Sequence, residues 1–110
     1  MTASLTFRTA ILACLVSLCA ISPAAAQEKA AEVRIDNFSF TPAEITVSPG
    51  TTLTWVNGDD IPHNVVATNN AFRSKVMDTE QKFSFTFSTL GVYEYFCALH
   101  PHMKGKVVVR

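Results

Sequence analysis

Cys97, His100 and Met103 stand at intervals of three in the stretch CALHPHM, with a second imidazole, His102, just before the methionine. A thiol, imidazole and thioether crowded into seven residues are three kinds of metal ligand. Thiolate and thioether suit Cu(I), and imidazole serves both oxidation states of copper. A mononuclear centre needs at least one more strong donor, and His63, in GDDIPHNVVAT, is the one histidine outside the stretch. Two imidazoles and a thiolate with a weak axial thioether form the donor set of a type 1 copper site. Zinc also accepts one Cys and two His and stands close to copper in intrinsic affinity, but it has little use for Met103. Taken singly, Cys97 reads as a small buried hydrophobe, Met103 as core filling and His63 as a loop histidine. Taken together, His63, Cys97, His100 and Met103 predict a site for one copper ion.

Such a site requires two strand ends at the same edge of a rigid scaffold, and the pattern supplies strands. EVRI alternates, with Val33 and Ile35 on one face. FSF continues out of step, which predicts a bend or bulge near Asn37. EITVS alternates again, and Pro49-Gly50 marks a turn. TLTWVN places Leu53 with Trp55, and KFSFTFS places Phe83, Phe85 and Phe87 on one side. HNVVAT reads as a short apolar strand. GVYEYFC carries Tyr93, Tyr95 and Cys97 on one face, and GKVVVR closes the chain. Residues 69–81 read as irregular or as one short helical turn. Seven or so short strands at this spacing predict an all-β sandwich of two sheets in a single domain.

Residues 1–26 carry Arg8, the apolar run TAILACLVSLCAIS and small residues at Ala24–Ala26, the pattern of a secretory signal cleaved before Gln27. The domain is then 27–110, with no stable membrane insertion after cleavage. Losing Arg8 leaves eight basic and nine acidic residues, a net charge of −1, which argues against nucleic acid as a partner. Cys14 and Cys19 leave with the signal, so Cys97 has no intramolecular disulfide partner. A lone thiol in an oxidising compartment is buried, paired with another chain or held by metal.

DIPHNVV, GVYEYFC, CALHPHM and KGKVVV resemble the small periplasmic blue copper proteins, the amicyanin group above all and the pseudoazurins next. The resemblance is specific in the ligand loop and generic in the strands. It implies a cupredoxin fold, a Greek-key sandwich of eight strands. It also implies shuttling of single electrons between a periplasmic donor and acceptor; the complete four-ligand set, with no open position, argues against an enzyme, and a monomer is expected. It assigns His63, Cys97, His100 and Met103 as copper ligands, and it implies that Asn64 ties the two ligand loops together near the thiol. His100, in mid-loop, is the ligand expected to face solvent, within an apolar patch to which Leu99, Pro101 and Met103 contribute. Ala98-Leu99 stands where the amicyanin group has Thr-Pro, and His102 stands where it has an aromatic residue. A methylamine dehydrogenase partner is therefore not expected. The competing reading is a periplasmic copper chaperone or buffer, which needs a Met- and His-rich surface. Beyond the four ligands, residues 27–110 offer only Met77 and His102.

Overall fold

Eight strands and no helix make up the described part of the chain: β1 (Ala30–Asp36), β2 (Ser39–Thr41), β3 (Glu44–Val47), β4 (Thr51–Asn57), β5 (Val66–Ala67), β6 (Lys82–Phe87), β7 (Gly91–Phe96) and β8 (Lys104–Val109). The computed structural model describes residues 29–110 together with residue 3; the expected signal segment, 1–26, lies outside the described residues but for that one. One sheet has the order β2-β1-β4-β6 and the other β3-β8-β7-β5. β1 runs parallel to β4 and β3 parallel to β8, while the remaining pairs are antiparallel. The chain therefore crosses repeatedly between layers, as a Greek-key sandwich does.

Alternation explains why these segments pair as they do. Leu53 faces Phe85 and Trp55 faces Phe83 across β4 and β6. On the other face of the same pair, the Thr52 and Thr86 hydroxyls meet at 2.8 Å and those of Thr54 and Ser84 at 2.7 Å. One face packs inward and the other satisfies its polar groups at the surface. Trp55 is the centre of the core, fully buried against Phe72, Phe83, Phe87 and Tyr95. A residue of its size contributes about 4–6 kcal/mol at about 25 cal/mol per Å².

Two buried polar atoms in this core, the Trp55 indole nitrogen and the Tyr95 hydroxyl, lack a hydrogen-bond partner. Burial pushes the Tyr95 phenol up to about 12, a shift eased by the indole N–H of Trp55, which lies near it without reaching hydrogen-bond geometry. Tyr95 also lies over Gly105, its partner across β7 and β8. A Cβ at Gly105 would collide with the Tyr95 ring, so no larger residue fits there.

The irregularity expected near Asn37 is a two-residue hairpin turn, not a bulge. Asp36 pairs with Ser39, and Asn37 and Phe38 between them have φ of 49° and 56°. Both central residues thus adopt the left-handed conformation of a tight hairpin turn. Asn tolerates it, but Phe at such a φ costs about 1–2 kcal/mol. HNVVAT forms a regular strand only over Val66–Ala67, paired with Phe96 and Tyr95. The segment 69–81 is irregular, tied in by isolated bridges between His63 and Met77 and between Val66 and Arg73.

Candidate metal centre

The centre forms where two connections meet at one end of the sandwich. The first runs from β4 to β5. Asn57 closes β4, fully buried, and its side-chain amide donates to the carbonyls of Ile61 and Met77 at 2.9 Å each. Its side-chain oxygen Oδ1 accepts the Asp59 N–H at 3.0 Å. These bonds curl the loop back, and the bridge to Met77 fixes the His63 backbone through bonds of 3.2 and 2.7 Å. The second connection is the seven-residue loop between β7 and β8. Its ends are closed by the Cys97 N–H donating to the Met103 carbonyl at 3.1 Å. Inside it, His100 N–H donates to Cys97 O at 3.3 Å and Met103 N–H to His100 O at 2.9 Å. Two successive turns thereby direct Cys97, His100 and Met103 inward at intervals of three.

The Cys97 sulfur lies 3.8 Å from His63 Nδ1 and 3.8 Å from His100 Nδ1. These three donor atoms fall within 4.8 Å of one another and form the metal-sized cluster of His, Cys and acidic groups among the described residues. His63 and Cys97 are fully buried, Met103 is 2% exposed and His100 is half-buried. Two neutral-capable imidazoles and a deprotonatable thiol fit a soft or borderline metal ion. The structure buries Met103 beneath the loop, which removes it from the solvent-facing patch expected there. Leu99 and Pro101 do stand exposed beside His100. His102 is exposed, its ring 6.4 Å from that of His100.

Asn64 spans the two connections, as expected. Its N–H donates to the Cys97 sulfur at 3.5 Å, and its side-chain oxygen accepts the Ala98 N–H at 2.7 Å. Sequence reasoning missed two residues. Asp59 Oδ2 lies 2.8 Å from His63 Nε2. With Nε2 donating to that carboxylate, Nδ1 keeps its lone pair on the side of the thiol. Burial alone would raise the Asp59 pKa. Hydrogen bonds from the Phe38 N–H, His63 and the Asn37 N–H outweigh it and hold the carboxyl below its ordinary 3.8. Phe38 packs edge-on to both imidazoles, 5.5 Å from His63 and 5.0 Å from His100 between ring centroids. The position of Asp59 four residues before His63 was the one available signal, and Asp60 beside it looked the same; the Phe38 contact is tertiary and left no local trace.

Comparison with known proteins agrees with this geometry. Residues 27–110 match the family described as copper binding proteins, plastocyanin/azurin family. Amicyanin of Paracoccus versutus is 40% identical over 82 residues, which cover 70% of this chain and 62% of that protein. Amicyanin of Paracoccus denitrificans is 41% identical over 96 residues, covering 80% and 73% respectively. Among solved structures, a reduced amicyanin variant superposes with a TM-score of 0.69 at 40% identity, covering 74% of this chain and 82% of that one. A purple cupredoxin from Nitrosopumilus maritimus gives a TM-score of 0.69 at 32% identity, covering 73% of this chain and 99% of that one.

Proposed function

We propose that this chain, which belongs to the plastocyanin/azurin family of copper-binding proteins, is a type 1 copper electron carrier. The observation that carries the reading is the placement of two imidazole nitrogens at equal distance, 3.8 Å, from one buried thiol. His63, Cys97 and His100 would hold the ion, with the buried Met103 thioether as the weak fourth ligand. Copper held there supplies a one-electron couple between Cu(II) and Cu(I).

The residues of the chain suit electron transfer in three ways. Asn64, Asp59 and the Met77 bridge fix the buried ligands from outside, so that little needs to move when charge changes. Burial of His63, Cys97 and Met103 keeps solvent away from three of the four donors. His100 alone reaches the surface, between exposed Leu99 and Pro101, which supports brief docking to redox proteins through a small apolar contact. Export to the periplasm, a monomeric state, and separate donor and acceptor proteins complete the proposal. All four strong and weak donors belong to the protein, which leaves no open position of the kind metal catalysis uses.

The test is a visible spectrum of the protein after addition of Cu(II), beside Cys97→Ser. An intense blue thiolate-to-copper band, absent from the variant, is expected, together with a reversible one-electron couple. A colourless protein, or copper that passes readily to an acceptor but cannot cycle, would overturn electron transfer in favour of metal handling.

A further inference from the structure

Asp59 serves two neighbours with one side chain. Its Oδ1 accepts the Asn37 N–H at 2.7 Å, and its Oδ2 accepts the Phe38 N–H at 3.0 Å and contacts His63 Nε2 at 2.8 Å. The carboxylate is thus held by three donors, with only 11% of its side chain exposed. Its own backbone is fixed in turn, by Asn57 at the N–H and by the Thr79 hydroxyl, which donates to the Asp59 carbonyl at 2.8 Å.

The left-handed turn that it grips is an unfavourable one for Phe38, and a strained conformation persists only where the surroundings over-determine it. Here the surroundings are the carboxylate on one side and the two imidazoles on the other. Phe38 stands at 88° to the His63 ring and 85° to the His100 ring, while the imidazole centroids are 5.0 Å apart. Three rings therefore form a closed triangle in edge-to-face contact, with Phe38, 36% exposed, on its outer side. A plain surface hairpin would need none of this, since Gly or Asn at the second turn position would relieve the strain and expose less apolar area.

We propose that Asp59 is the positioning residue of the centre: its single carboxylate orients His63, holds the turn that lays Phe38 against His100, and by its negative charge favours the oxidised metal. The inference rests on the copper reading above. His63 is oriented because its Nε2–H is committed to the carboxylate. His100, which has no such partner on its own loop, is braced instead by the Phe38 ring. The charge acts across one imidazole ring in a water-poor setting, where screening is weak.

The full-length protein tests this with three variants. Asp59→Asn removes the charge and presents an N–H₂ group to donors. In the copper-loaded form it should raise the midpoint potential about 59 mV, a tenfold change in the ratio of Cu(II) to Cu(I) affinity for one electron. In the metal-free form it should speed amide exchange at Asn37 and Phe38 at least about tenfold, as expected for loss of a local hydrogen-bonded unit. Asp59→Glu keeps the charge on a longer arm, and should loosen the same amides while keeping the potential within about threefold in that affinity ratio. Phe38→Leu should leave both amides protected and increase the mobility of the His100 ring in the metal-free protein. A potential for Asp59→Asn within about twofold of the parent ratio would overturn the proposal, and so would amides that stay protected. If Asp59→Asn does not fold, amide exchange in Asp59→Glu and His100 mobility in Phe38→Leu decide it. A parent protein with no blue band sinks the copper reading, whereas the amide exchange of the metal-free protein still tests the clamp.

Discussion

His63 and His100 stand at the same distance from one sulfur, yet they belong to different kinds of wall. His63 is wholly enclosed: its backbone is bridged to Met77, its Nε2 meets Asp59, and the loop before it is wound around the buried Asn57 amide. His100 hangs from a seven-residue loop whose backbone–backbone bonds join only its own members, tied to the other connection through Asn64, and its ring is braced from outside by Phe38 at the surface. One wall is tied into both sheets, and the other is a short loop set on their rim. The difference teaches that two imidazoles of identical chemistry can divide the work. In the proposed copper centre the enclosed one would set geometry, and the exposed one would provide contact with solvent and with partners.

The strongest way to break this comparison is to remove the enclosed member. His63→Ala leaves a cavity in a fully buried site and strips Asp59 of one of its donors. A loss of about 3 kcal/mol of unfolding free energy is expected for the metal-free protein, read by denaturant titration. A loss below about 1 kcal/mol would show that the wall is not rigid in the sense argued.

The exposed wall was the more legible of the two in the sequence. Its three donors lie within seven residues of the chain, and the spacing Cys-x-x-His-x-x-Met survives folding because the loop backbone is built from two local turns. The β-sandwich was equally readable, since Leu53, Trp55, Phe83, Phe85 and Phe87 follow the two-residue period and pair as that period requires. The enclosed wall was readable only in part. His63 was found by elimination, as the one remaining histidine, and Asn64 through resemblance. Asp59 and Phe38 owe their roles to a turn 21 residues away from the acid, and no local pattern distinguishes them. Met103 is legible as a loop sulfur, but its side of the loop is not: expected in an exposed patch, it lies buried, because periodicity cannot say which side of a loop faces the core.

Both walls stand on one core, and alkaline pH should loosen that core at Tyr95 without favouring either wall. Tyr95 lies two residues before Cys97 on β7, buried, with its phenol pushed up to about 12 from an ordinary 10.0. A phenol raised in the folded state is held neutral there, so its share of stability is fully present below pH 10 and is lost as pH rises towards 12. The loss should approach about 3 kcal/mol, two pH units at about 1.36 kcal/mol each. Tyr95→Phe should flatten that alkaline limb in the metal-free protein. An unchanged limb would assign the loss to other groups.

Asn64 is the seam between the walls, and removing it should separate them without dismantling either. Asn64→Ala deletes the acceptor for the Ala98 N–H but retains the backbone N–H that faces the Cys97 sulfur. A cost of about 1–2 kcal/mol is expected, with faster amide exchange at Ala98 and no change at Met77. Faster exchange at both residues would mean that the two walls unfold as one unit and that the comparison is drawn too sharply.

The smallest effect on stability, and the sharpest contrast, belongs to the exposed imidazole. His100→Gly removes a half-buried ring from a rim loop, and the metal-free protein should lose no more than about 0.5 kcal/mol. The vacated place opens towards solvent beside Leu99 and Pro101, so free imidazole added to the copper-loaded variant should enter it and restore the blue band. His63→Gly offers no such door, because the ring it removes has no exposed surface, and the same imidazole should leave that variant colourless. Rescue of both variants would mean that the buried wall breathes on the timescale of ligand entry. Rescue of His100→Gly alone would establish that the two histidines differ in access as they differ in anchoring.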